Sequence, residues 1–361
     1  MSKRPMTAEK AALILEDGAT FEGKSFGAPG RAAGTAVFYT GVVGYQEVLT
    51  NPSYRGALAV FTYPIIGSYG VNGEDNESLA VQAAGLVVRE YSRTYSNHRA
   101  TGALEDFMKA KGLVGIREVD TRAVTVHLRE HGEMRGTIAS GTFDARRIVA
   151  AMKKAPPDAA RDLVREVTWA GRRQATGRRT GRVAVVNLGV KESLLAQLAA
   201  LGCTVEVLDG AATAKEVRAS RPRGVILAGG PGDPADAGYA VETARDLLGH
   251  VPILGIGLGH QVLALALGAR VRRLRTGHHG VNYPVRDLEG GPSAITVQHH
   301  SYVVDAEGLP RGVKVTHTNL SDGTVEGIRC RKAQATGVQF HPVPDEMGRP
   351  NPLLMRFRDR A

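Results

Sequence analysis

From Arg182 onward the chain alternates short apolar runs with segments of helical period, and this alternation restricts the fold more than any other feature. "RVAVVNLG" reads as a buried strand and "VKESLLAQLAALG" as the helix after it. "TVEVLD" is the next strand and "AKEVRASRP" the next helix. "GVILAGGPGDP" is a strand running into a glycine-rich turn, followed by the helical "YAVETARDLLGH". "VPILGIG" gives a further strand, and an apolar helix starts near His260. Strands separated by helices of this length form βαβ units and a parallel sheet. Ligands in such sheets sit at the carboxyl ends of the strands. "AGGPGDP" and "GIGLG" fall at such ends, as does His341 of "ATGVQFHPVPDE".

The stretch "ILGIGLGHQVLALALGA", Ile253 to Ala269, joins strand to helix through Gly255-Ile256-Gly257-Leu258-Gly259. A strand, a glycine-spaced turn and a helix make a sharp bend that lifts its middle residue above the sheet, and in catalytic versions that residue is the nucleophile. Here it is Gly257, which has no side chain. These glycines are not a dinucleotide fingerprint. That pattern needs its third glycine where His260 stands, and an acid about 20 residues on, which is missing.

The first 150 residues have a different rhythm. "AALILEDGATFEGKSFG" reads as a hairpin turning at Asp17-Gly18, and β-rich segments punctuated by Gly and Pro follow. Helices are predicted at Ala103–Lys111 and Thr121–Glu130, the second with Ala123, Val124 and Leu128 near helical spacing. Residues 156–181, with Pro156-Pro157, three glycines and dense arginine, read as a basic linker. The expected division is therefore a domain over 1–155, a linker over 156–181 and a domain over 182–361.

The net charge of +10 admits an acidic partner. Much of it is local, in the five arginines of "GRRQATGRRTGR" and in Arg270, Arg272, Arg273 and Arg275. With no zinc-finger spacing, aromatic RNA-binding signature or basic zipper region, these read as a solvated surface or subunit contact, not a nucleic-acid site. No apolar run spans a membrane, the N-terminus lacks a signal core, and two cysteines make no disulfide framework. A cytoplasmic protein is expected. His278, His279, His299 and His300 have no cysteine or carboxylate at ligand spacing, so no metal site is expected. Cys203 reads as core or loop. Cys330, in the strand-like "VEGIRCRKA", is not at a strand-to-helix turn and is a poor substitute nucleophile.

"ILAGGPGDP", "GIGLGHQVLALALGA" and "VQFHP" resemble, in order, the three signature stretches of class I glutamine amidotransferases. In the front half, "LEDGATFEGKSFG", "TGVVGYQEVLTNPSY", "GSYGVNGED" and "DTRAVTVHLREHGEMRG", with the later "GHHGVNYPV", are similar to the small subunit of carbamoyl-phosphate synthase. The resemblance covers nearly the whole chain. It implies a mixed, β-rich N-terminal domain and a C-terminal α/β amidotransferase domain whose mainly parallel sheet is flanked by helices. It also implies a large synthetase subunit as partner. That subunit would receive ammonia from glutamine and consume ATP and bicarbonate, with Mg bound there, while this chain itself holds no cofactor.

In that family a cysteine attacks the glutamine carboxamide, a histidine acts as its base and a glutamate orients the histidine. Backbone amides near the elbow and in the Gly-Pro-Gly turn hold the oxyanion. The cysteine falls on Gly257, the histidine on His341 and the glutamate on Val343. Gln261, Leu258, Gly230, Gly232 and Ser53 match glutamine-pocket positions. The family's Asn-His-Gly-Phe segment stands here as His299-His300-Ser301-Tyr302. Two catalytic positions and several substrate contacts are thus altered. The resemblance implies a small-subunit homologue with glutamine binding weakened and glutaminase chemistry lost, a ligand-binding pseudoenzyme with a remodelled pocket, or, less readily, an active glutamine-hydrolysing subunit whose nucleophile is not visible in the sequence.

Overall fold

Apolar Ala11–Leu15 is buried from end to end because both of its faces are covered, Ala11, Leu13 and Leu15 by Leu58, Ile116 and Ile138, and Ala12 and Ile14 by Ile148 and Met152; both edges are paired, a placement that the Asp17-Gly18 turn begins. Gly18 takes φ 100°, and the Asp17 carboxylate accepts from Ala19 N at 2.9 Å, closing the hairpin. The computed structural model describes residues 9–155, 161–173 and 180–361, and the chain divides into two units, 1–160 and 161–361.

The strands of the first unit are β1 (Lys10–Leu15), β2 (Thr20–Gly27), β3 (Arg31–Tyr39), β4 (Ala57–Phe61), β5 (Ile65–Ile66), β6 (Gly85–Val87), β7 (Glu90–Tyr91), β8 (Val114–Arg117) and β9 (Met134–Ser140). Seven of them close into a barrel in the order β1-β2-β8-β6-β4-β3-β9, while β5 and β7 pair separately. Inward side chains of Leu13, Leu15, Leu58, Val60, Ile116 and Ile138 fill it. Its helices are α1 (Tyr45–Thr50), α2 (Leu104–Ala110), α3 (Thr121–His131) and α4 (Ala145–Lys154). The predicted helices at 103–111 and 121–130 are α2 and α3. Asp120 caps α3 by accepting from Ala123 N at 3.0 Å, and Val124 and Leu128 bury its inner face.

The second unit contains α5 (Leu163–Val167), β10 (Gly171–Arg173), β11 (Gly181–Asn187), α6 (Glu192–Ala200), β12 (Cys203–Asp209), α7 (Ala214–Ala219), β13 (Gly224–Leu227), α8 (Gly238–Leu247), β14 (Ile253–Ile256) and α9 (Leu258–Ala266). Then follow β15 (Val271–Asp287), β16 (Ala294–Val304), β17 (Val313–Asn319), β18 (Val325–Cys330), β19 (Ala335–Val338) and α10 (Pro352–Arg360). One sheet runs β10-β12-β11-β13-β14-β19-β18-β17-β15-β16. Strands β12, β11, β13, β14 and β19 are parallel neighbours, as the βαβ rhythm predicts, and an antiparallel wing extends from β18. Alternate residues of each parallel strand point to opposite faces. Ala184 and Val186 meet α7, α8 and α9, whereas Val183 and Val185 meet α6 and α10.

The predicted linker needs correction. Residues 163–173 carry α5 and β10, and 156–160 and 174–179 lie outside the described residues. Asp162 caps α5 through Arg165 N, Val164 is buried in the second unit's core, and β10 adds to the sheet edge beside β12. Flanking Pro, Gly and Arg hide these short elements from a composition-based reading. No helix among the described residues is long and apolar enough to cross a membrane.

Candidate active site

Strand β14 ends at Ile256 and α9 begins at Leu258, so Gly257 alone makes the bend. Its backbone sits at φ 57°, ψ −117°, a combination that only glycine adopts without strain. Its N–H donates to Val338 O at 2.9 Å, and its carbonyl accepts from His260 N and Gln261 N. The flanking glycines are held by contact instead. A Cβ at Gly255 would lie 2.5 Å from Gly259 O, and one at Gly259 only 2.0 Å from Leu227 O. At Gly257 a Cβ would meet Gly229 Cα at 3.5 Å, His341 Cε1 at 3.7 Å and Gln339 O at 3.9 Å, all ordinary contacts. The bend therefore has space for a side chain, and that side chain would face His341.

His341 follows β19, and its N–H donates to Val297 O at 2.9 Å. Its buried ring lies 5.2 Å from that of His299. Burial, then the nearby Lys191 ammonium, holds its pKa well below the usual histidine range. Burial and His341 do the same to His299. The charge acting on His341 is thus a cation where a triad needs a carboxylate. Val343 stands on the same pocket wall as Lys191, Gly229, Ile256 and His341, offering a side chain that accepts no hydrogen bond.

The remaining pocket positions are also committed. Gln261 is 2% exposed, and its Nε2 donates to Tyr302 O at 2.7 Å and to Gln339 Oε1 at 3.1 Å. Gly230 packs its backbone on Leu188 O, where a Cβ would come within 2.0 Å, and Leu258 is buried beside it. Gly232 turns the chain at φ 88° into Asp233. The Asp233 carboxylate accepts from the Tyr302 hydroxyl, and burial together with that charge pushes the phenol up to about 12. Ser301 Oγ lies 3.4 Å from His279 Nε2. Ser53 belongs to the other unit. It sits in a turn capped by Asn51, and its Oγ is buried without a hydrogen-bond partner.

The second unit thus gathers Gly257, His341, Val343, Gly230, Leu258, Gln261, His299 and Tyr302 around the carboxyl ends of β13, β14 and β19. Cys330 is elsewhere, packed into the core, and Cys203 is buried with its thiol pKa raised by desolvation. Sequence reasoning missed Lys191, Gly229 and Asp233. All three follow the carboxyl end of a parallel strand, so the rule that located His341 would have found them. It also missed Glu326 and Asp322, which the fold sets beside His278. The absence of carboxylates near that histidine in sequence therefore does not hold in space.

Residues 13–138 match the model of the carbamoyl-phosphate synthase small chain, CPSase domain, and residues 184–348 match that of the class I glutamine amidotransferases. The carbamoyl phosphate synthase small chain of Syntrophotalea carbinolica is 43% identical, over 92% of this chain and 92% of its own length. That of Symbiobacterium thermophilum is 46% identical over 91% and 92%. The chloroplastic small chain of rice is 39% identical over 94% and 79%. The protein belongs to the carbamoyl-phosphate synthase small-chain family.

Proposed function

We propose that this chain is a small-subunit homologue that no longer hydrolyses glutamine and that supports a large synthetase subunit fed by free ammonia. The observation that carries this reading is Gly257, set at the bend with space toward His341 and no atom to attack a carboxamide. Without a thiolate no acyl-enzyme forms. Triad enzymes stripped of their nucleophile keep only about 10³–10⁴-fold over water from binding and the oxyanion hole. Val343 leaves His341 without an orienting carboxylate, and Gln261 and Tyr302 are bonded to protein groups that compete with a glutamine ligand. ATP, Mg and bicarbonate belong to the large subunit, this chain needs no cofactor, and the complex works in the cytoplasm.

The test is reconstitution with the host's large subunit, comparing carbamoyl phosphate formation on glutamine and on ammonium. Ammonium-dependent activity that rises with this chain, and none on glutamine, supports the proposal. Glutamine-dependent activity overturns it. A second reading, a ligand-binding module, draws on His299 and on the Tyr302–Asp233 contact that remodel the pocket. A small molecule other than glutamine retained by the purified chain, with no binding to the large subunit, would favour it.

A further inference from the structure

One face of the β15–β16 ladder carries a buried polar cluster that the glutaminase reading does not use. His278 and His300 are cross-strand partners with ring centroids 5.0 Å apart. Glu326, at the start of β18, is 0% exposed; its Oε1 accepts from Asn319 Nδ2 at 2.9 Å and lies 3.7 Å from His278 Nδ1. Its Oε2 is buried with no partner. The other nitrogen of each ring already has an oxygen acceptor: His278 Nε2 is 2.9 Å from Asp322 Oδ2, and His300 Nδ1 is 2.9 Å from Tyr302 O. The inward nitrogens, His278 Nδ1 and His300 Nε2, both point at one atom, Gln298 Oε1, at 2.9 and 3.0 Å.

The amide oxygen faces both rings. Gln298 Nε2 donates to Thr296 Oγ1 at 3.0 Å, and the single Thr296 hydroxyl proton goes to Tyr283 O. Four imidazole nitrogens therefore face only acceptors. With the amide in this orientation, protons alone satisfy them only if both rings are imidazolium, two like charges side by side in a buried site; with the amide turned over and Thr296 donating to it, both neutral rings are satisfied. Glu326 Oε2 would still have no donor. A divalent cation at the centre takes both imidazole lone pairs, the Gln298 oxygen and the Glu326 carboxylate at once. The outward contacts to Asp322 and Tyr302 O then do what carboxylates and carbonyls do behind metal-bound histidines, fixing tautomer and ring orientation.

We propose that His278, His300 and Glu326, with Gln298 Oε1 as a fourth donor, bind one first-row divalent cation of the zinc and cobalt class. The donor atoms of the first three lie within 4.8 Å of one another, so bonds of about 2.0–2.2 Å require only small side-chain movements inward. Mixed imidazole, carboxylate and amide oxygen donors suit zinc or cobalt better than calcium. The ion would tie β16, which carries His299, Ser301 and Tyr302, to β18.

The experiment uses the full, untagged chain, stripped with a chelator and titrated with Zn²⁺ and with Co²⁺. The expected result is one tightly held equivalent per chain by elemental analysis, a d–d spectrum of low-coordinate Co²⁺, and a higher thermal midpoint. Glu326→Gln and His300→Gln should weaken binding at least about 100-fold while circular dichroism and gel filtration stay native. Should either fail to fold, Asp322→Asn, at a half-exposed position, should cost about 10–100-fold. The surface group of Asp17, His127 and His131 is the rival site, with His127 Nε2 2.6 Å from Asp17 and the two rings stacked. Binding that survives Glu326→Gln and disappears in His131→Gln overturns the proposal, as does a folded, stripped chain that takes up no stoichiometric metal.

Discussion

Substituting Gly257 isolates backbone strain from packing. An alanine or cysteine there must hold φ 57°, ψ −117°, yet its Cβ would meet nothing closer than 3.5 Å. The cost is therefore conformational, about 1–3 kcal/mol for a residue held in a sparsely populated region. A unit of this size shifts its midpoint by about 2–4 °C per kcal/mol, so Gly257→Ala should lower the second unit's transition by roughly 2–12 °C. Gly259→Ala is the contrast, because its Cβ would sit 2.0 Å from a carbonyl oxygen and the helix must move. It should cost more than Gly257→Ala or prevent folding of that unit. Calorimetry of the full chain is the assay, since two units can unfold as separate transitions. A Gly257→Ala midpoint at or above that of the parent would refute the strain argument. So would a Gly259→Ala variant as mild as Gly257→Ala.

Gly257→Cys should not restore glutamine hydrolysis alone, because a base held far below its usual pKa does little to draw the proton from a thiol; Gly257→Cys with Val343→Glu should release measurably more ammonia from glutamine than either single variant. His260 is fully buried with both ring nitrogens unpartnered, and burial lowers its pKa to about 3. Its folded pKa lies below the unfolded value of about 6.5, so the stability it contributes is present above 6.5 and is lost as pH falls toward 3, at about 1.4 kcal/mol per pH unit. His260→Leu should leave pH 7 stability within about 1 kcal/mol and flatten the acid limb of denaturation by one proton; an unchanged limb would refute the assignment. Asp120→Ala should cost the first unit about 1 kcal/mol in chemical denaturation, the usual loss for an N-cap.

The parallel half of the second unit was legible because each strand and helix has its own local period, and Gly257 and His341 were legible because the topology puts strand ends together. The antiparallel wing was not. "VRRLRTGHHGVNYPVRD" reads as a basic cluster, yet it is the 17-residue β15, held by pairing with β16 and β17 that no local pattern encodes. The same cause hid Glu326 beside His278, since 48 residues separate them and only the sheet joins them. The barrel was half visible. The β1–β2 hairpin announces itself at Asp17-Gly18, but three-residue β6, parallel to both neighbours, has too few residues to show a period.

The closed barrel sets an order of events on the ribosome. Strand β1 pairs with β2 as soon as the hairpin forms, but its other edge waits for β9, where Leu15 meets Gly136. About 120 residues of synthesis separate the two, roughly 6–25 s at 5–20 residues per second. Throughout that interval the apolar Ala11–Leu15 strand presents an open hydrogen-bonding edge, the kind that recruits strands from other chains. Nascent chains cut short before Met134 should therefore be strongly aggregation-prone, and those released after Ser140 should stay dispersed.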